Sequence, residues 1–329
     1  MAGTDIVISL QGDHYMVESA GGYFKLGTRE GRILQKLVNE DDTTRILEEE
    51  QITKEQLDQY IDAFKNVGVI GEQKKKRQNI LFYRIPLFQA DPMFARIVAC
   101  MKNHKEAVKG TFITSILVIL AGCILMGINF GDIYSRSLLH LKSYEYATIY
   151  VVFLLTVCMH EMGHGIVCKY NGGKVGTLGF MLIIFSPAMY CDISGVRMIK
   201  DKRKQIMASA AGVYVNLFFT GLASIAFAIK PLPLFAAFII LNVTTIVSNL
   251  IPVVRLDGYW ILSFATGITN LYKNSMKSVN LLFKKCTGKE RFMAIYGVIT
   301  YSVMGIAIVS IAVSAVKTVI WVAQYVFHF

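Results

Sequence analysis

Residues 147–169 read ATIYVVFLLTVCMHEMGHGIVCK. The eleven residues from Ala147 to Val157 are apolar or carry only a hydroxyl, which suits a helix in hydrocarbon better than one face of a soluble helix. His160, Glu161 and His164 then interrupt the run. On a helix, positions i and i+4 share a face, so both imidazoles can reach one metal ion. Glu161 sits beside them, where a carboxylate can take a proton from metal-activated water. Chance alone also produces five-residue patterns. The setting argues against chance here: a carboxylate deep in a bilayer costs about 2.5–3.5 kcal/mol on insertion scales, so it needs a partner or a purpose.

Working outward, the whole chain has the same character. Of 329 residues, 54% are hydrophobic and 17% charged, against about a quarter charged in soluble domains. Residues 111–130 form an uncharged run long enough to span about 30 Å of hydrocarbon. Residues 146–168, 207–229, 234–252 and 292–316 are further expected spans. Residues 175–190 are apolar but short and flanked by glycine, which predicts a re-entrant hairpin. Residues 256–268 are also too short to span alone and continue the preceding helix beyond a break at Pro252. The expected fold is a multi-pass α-helical membrane protein with a re-entrant segment, residues 111–329 forming the membrane domain.

The N-terminal end differs. Residues 1–73 hold 14 acidic and 7 basic side chains, whereas the remaining chain has a net charge of +18. Residues 5–26 alternate apolar and polar, with Ile6, Ile8 and Leu10 on one face and turns at Gly12-Asp13 and Ser19-Ala20-Gly21-Gly22. Helical stripes follow, one through Ile33, Leu34, Leu37 and Val38, another through Leu57, Tyr60, Ile61, Phe64 and Val67. Thr53 and Gln56 have capping-box spacing and Gly68 suits a helix stop. Short strands and three helices predict a small winged-helix-like α+β domain over residues 1–73. The net −7 of this domain would repel phosphate, which excludes nucleic acid as a partner. Residues 74–110 read as the basic linker Lys74-Lys75-Lys76-Arg77 and an interfacial helix. In that helix Asp91 serves as N-cap, Pro92 as first helical residue, and Met93, Phe94, Ile97, Val98 and Met101 face one way.

No signal peptide is evident, so the first span is expected to direct insertion and leave the N-terminal domain in the cytoplasm. Charge agrees: the loops then facing inward carry sixteen Lys and Arg against four outside. This places the protein in the cell membrane with lipids as partners, and Lys200-Asp201-Lys202-Arg203-Lys204 as a headgroup anchor. The six cysteines have no CxxC spacing and read as small apolar fillers, Cys168 included.

Two histidines leave a catalytic zinc site one protein ligand short. Asp257 is the leading third candidate, because Pro252 and Gly258 allow the chain to turn a carboxylate back toward a neighbouring helix. Two structural alternatives stand beside this: Asp257 caps the helix that follows, or it pairs with Arg255. Asp192 is a substitute third ligand.

The HEMGH helix, followed about 85 residues later by Asn249-Leu250-Ile251-Pro252-Val253-Val254-Arg255-Leu256-Asp257-Gly258, resembles the site-2 protease family of membrane zinc metalloproteases. The likeness covers roughly residues 111–268. It implies zinc held by His160, His164 and Asp257, with Glu161 as general base. Ala211-Gly212-Val213-Tyr214-Val215-Asn216 resembles the family's A-G-P-x-x-N segment, with Val213 in place of proline. The resemblance extends a substrate-binding role to Asn216 and Asn249. Residues 1–73 resemble a PqqD-like peptide-recognition domain through Gly22-Tyr23-Phe24-Lys25-Leu26-Gly27 and the strand–helix order. Together the halves are similar to membrane peptidases of peptide-maturation systems. The implied substrate is a ribosomally made, modified precursor peptide, cut at or within the membrane, and a peptide exporter is an expected partner. The rival expectation is a transporter or immunity protein that binds peptide or metal without hydrolysis; an intact Glu161 disfavours it.

Overall fold

The computed structural model describes residues 6–19, 22–39, 41–71, 82–139, 141–183, 186–281 and 287–327. The linker Lys74-Lys75-Lys76-Arg77, Ala20-Gly21 and Cys286 lie outside the described residues. The chain divides into two compact units, residues 1–246 and 247–329.

The first unit opens with an antiparallel sheet in the order β1 (Val7–Gln11), β2 (His14–Ser19), β3 (Gly22–Gly27). Gly12 makes the first turn possible at φ +65°, a conformation costly for other residues. Three helices follow: α1 (Thr28–Val38), α2 (Thr43–Glu50) and α3 (Lys54–Val67). Their core joins Val17 of β2 to Ile33, Leu34, Ile46, Leu57 and Phe64. The capping box of Thr53 and Gln56 forms, and Gly68 ends α3 in the left-handed region, its N–H reaching Phe64 and Lys65 carbonyls. Val67, expected on the inward stripe, is exposed, because the stripe drifts off the core face by the last turn.

Strand β4 (Phe82–Gln89) comes next and was not expected from the sequence. It pairs antiparallel with β5 (Thr177–Ile183), which pairs with β6 (Ser186–Cys191), so the sheet order is β4-β5-β6. The apolar segment 175–190 is therefore a β-hairpin joined by a strand from far upstream. Helix α4 (Asp91–Asn103) starts with Asp91 already helical and Pro92 behind it, correcting the expected cap position. The Asp91 carboxylate instead takes hydrogen bonds from Lys169 Nζ, at 2.7 and 2.8 Å, and from the Val175 amide at 2.8 Å.

Helices α5 (Lys105–Ile128), α6 (Phe130–Ser137), α7 (Ser143–Tyr170), α8 (Lys202–Ile229) and the greater part of α9 (Pro233–Leu250) complete this unit. Of these, α5, α7, α8 and α9 are long and apolar enough to cross a membrane. Along α5, Ile113, Leu117, Leu120 and Ile124 are exposed, which is the surface expected of a helix bathed in lipid. Close helix approach uses small residues: a Cβ on Gly122 of α5 would strike Gly221 of α8, and Gly163 of α7 lies against Ala211 and Val215. Phe94 of α4 fills the space beside Gly165 of α7. These contacts, with Asp91 and Lys169, lock α4 onto the helix that carries the motif.

Burial works to raise the Asp91 carboxyl, but Lys169 and the Val175 amide outweigh it and hold the group below the usual carboxylate range. A depressed carboxyl contributes stability that is present at neutral pH and lost as pH falls through its lowered value. Detergent-solubilised Asp91→Asn protein should therefore melt below wild type at pH 7. The gap should close as pH drops beneath the ordinary carboxylate range, which thermal unfolding at several pH values measures.

The second unit holds α10 (Asp257–Thr266), α11 (Leu271–Ser278) and α12 (Gly288–Phe327), the last also long and apolar enough to cross a membrane. Tyr259, Ile268, Leu271 and Tyr296 form its core. The helix breaks before Pro252, and the chain doubles back so tightly that Gly258 abuts the Leu250 carbonyl with no room for a Cβ. The Tyr296 hydroxyl donates to the Pro252 carbonyl and ties the break to α12.

Candidate metal centre

His160 and His164 lie one turn apart on α7 and are both buried, at 6% and 4% exposure. Their Nε2 atoms converge at 3.2 Å, with the rings at 81° to one another. His164 Nδ1 is 2.8 Å from the Ala208 carbonyl of α8. A carbonyl can only accept, so Nδ1 carries the proton and donates it. In the neutral ring Nε2 of His164 is then the acceptor nitrogen, and it faces the Nε2 of His160. A backbone acceptor that fixes the tautomer of a metal-binding imidazole is the usual outer support of such ligands. The residues present therefore fit a metal ion, and two imidazoles with a carboxylate suit zinc.

The space for that ion is made by glycine. On α8, Gly212 stands where any Cβ would collide with Nε2 of both histidines. Asn216, one turn further along α8, is 2% exposed, and its Oδ1 has no hydrogen-bond partner among the described residues.

Glu161 follows His160 round the helix and meets β6 instead of α8. Its Oε2 accepts the Cys191 amide N–H at 2.9 Å. In β6, Asp192 just beyond the strand exchanges both backbone bonds with Gly176 and Thr177, so the alternation of an antiparallel ladder turns Cys191 and Met189 to the free edge. That edge runs along α7 beside Glu161.

Other sequence candidates fall elsewhere. Asp192 Oδ1 accepts the Ser194 amide at 3.0 Å and shapes the turn that follows, which is a structural use. Cys168 is fully buried, with its sulfur toward the Lys174 carbonyl, as expected of a filler. In the second unit, Asp257 opens α10 in its first turn behind Leu256, and Asn249 is half-buried near the end of α9. Arg255 lies over the Tyr272 ring at 5.7 Å. Sequence reasoning missed the Ala208 carbonyl and the Cys191 amide, since main-chain groups leave no mark on residue type. The Ala211-Gly212 pair was the available signal for the close approach of α8.

Among the described residues, five helices are long and apolar enough to cross a membrane, which is consistent with a membrane protein, and one of them carries the buried histidine pair. Over 117 residues, 35% of its length, the chain is 27% identical to "Putative peptide zinc metalloprotease protein YydH" of Bacillus subtilis (strain 168). The match spans 46% of that protein, under half of its length. No family profile matches the chain, and no solved structure matches it.

Proposed function

We propose that this protein is a membrane-embedded zinc endopeptidase of the site-2 type, with zinc held by His160, His164 and Asp257. The observation that carries the reading is the convergence of two buried Nε2 atoms, one with its tautomer fixed by Ala208, next to a carboxylate on the same helix. When bound, the metal supplies Lewis-acid polarisation of a carbonyl and acidification of water to a pKa of about 7. Glu161 takes the proton of the attacking water and delivers it to the departing amine nitrogen. The Cys191 amide holds Oε2 so that the carboxylate keeps one orientation through both transfers. Asn216, with its buried amide one turn along α8 from Gly212, hydrogen-bonds the substrate backbone in this reading.

The substrate is an extended peptide. Backbone groups of Met189 on the free edge of β6 pair with it, as strand addition requires. The acidic N-terminal domain, PqqD-like in its strand–helix order, captures a basic leader segment of a modified precursor and raises its local concentration. The excess of Lys and Arg in loops on one side favours a cytoplasmic N-terminus.

Metal analysis of purified variants tests the ligand set. Asp257→Ala should lose most of its zinc while Asp192→Ala retains it, and the opposite pattern would transfer the role to Asp192. Incubation of the loaded wild-type protein with a candidate precursor peptide, read by mass spectrometry, tests the activity; zinc binding without any cleavage would leave a metal-dependent binder.

A further inference from the structure

Two contacts tie the N-terminal sheet to the segment directly after Cys191, and a third ties it to Lys174 ahead of β5. Gln11 Nε2 of β1 donates to the Arg197 carbonyl at 3.0 Å. The Arg197 guanidinium lies over the Tyr23 ring of β3, 5.9 Å from its centre. Glu18 of β2 pairs with Lys174 at 3.3 Å. Arg197 belongs to a single-turn 3-10 helix, Ser194–Met198. From there back to Cys191 the chain has little freedom. Asp192 is bonded on both sides to the Gly176–Thr177 segment and its carboxylate holds the Ser194 amide. Gly195 is pressed so closely on the Lys174 backbone that a Cβ would collide with it. Burial pushes the Tyr23 phenol up, and the carboxylates of Glu18 and Asp192 push the same way. At the far end, the Cys191 amide holds Glu161.

We propose that Tyr23, Gln11 and Glu18 are positioning residues for Glu161: the N-terminal sheet clamps residues 192–198 and Lys174, and the clamp fixes the Cys191 amide against the Glu161 carboxylate. The proposal rests on Glu161 acting as the base. It gives the N-terminal domain a share in turnover that is separate from capturing substrate. A domain used only for capture affects KM of precursors that reach it. A clamp affects kcat of every substrate, including a short leaderless peptide that never touches the domain.

The test uses the full-length, zinc-loaded protein with Tyr23→Ala, Tyr23→Phe and Gln11→Ala. Hydrogen exchange at the Cys191 amide should quicken in Tyr23→Ala and Gln11→Ala, and stay at the wild-type rate in Tyr23→Phe, which keeps the ring under Arg197. On a short leaderless peptide, kcat should fall about tenfold in the two alanine variants with KM and zinc content unchanged, the scale expected when a catalytic group is displaced by under an ångström. Tyr23→Phe should restore it. Should Tyr23→Ala unfold the domain, seen as faster exchange around Val17 and Leu34, the Gln11→Ala variant decides alone, since that side chain lies outside the core. Unchanged exchange at Cys191, or a rise in KM without a fall in kcat, overturns the proposal. A wild-type protein that cleaves no peptide while the exchange response persists overturns the protease reading and leaves the clamp standing.

Discussion

Glu161→Gln will keep its zinc and lose peptide cleavage by roughly 10²–10⁴-fold, the usual worth of a positioned general base. The substitution is nearly isosteric. A glutamine oxygen can still accept the Cys191 amide, so the contact with β6 survives. Neither Nε2 of the histidine pair nor the Ala208 bond is touched. What disappears is the capacity to accept a proton and return it to the amine. Mass spectrometry of peptide products, with metal content measured on the same preparation, separates the two properties. Wild-type turnover by the variant would sink the assignment of Glu161, and loss of zinc would make it a ligand.

Gly212→Ala should cost metal affinity by about a hundredfold or more, beyond the 10–100-fold typical of changes one shell removed from a metal. The reason is steric: the added methyl would occupy the space between the two Nε2 atoms, and α8 cannot back away while Ala208 holds His164. Gly163→Ala is the control. There the nearest obstacle is a Val215 methyl at 2.8 Å, a side chain with more freedom to shift than the main chain, so metal should be largely retained. Competition with a chelator of known affinity measures both. Wild-type zinc affinity in Gly212→Ala would mean that the ion is not held between these imidazoles.

Which features were legible follows from how far each depends on local spacing. The HEMGH pair, the capping box of Thr53 and Gln56, the stop at Gly68 and the break before Pro252 are set within one or two turns of chain, and all appear in the structure. The five helices of membrane length among the described residues were equally plain, because composition alone marks them. Strand β4 was not readable. Pro86 interrupts it, its apolar residues do not alternate cleanly, and its partner β5 lies about 90 residues away. Asp91 looked like a cap because the local motif allows one, but a lysine 78 positions later claims its carboxylate. At the candidate metal centre, the buried histidine pair followed from i, i+4 spacing, whereas the Ala208 carbonyl and Cys191 amide depend on tertiary packing that every sequence position offers alike.

The bond from His164 to Ala208 joins residues 44 positions apart on separate helices. During synthesis α7 enters the bilayer before α8 has been made. At that stage no carbonyl fixes the imidazole, and its two tautomers compete. Ligand-ready geometry arises only when the second helix docks in register. A slip of one residue moves Ala208 by about 1.5 Å along the axis and about 100° around it, which turns its carbonyl away. For the zinc site proposed above, metal retention would then report on assembly: only molecules whose helices have been threaded and paired in register would offer the ion both imidazoles.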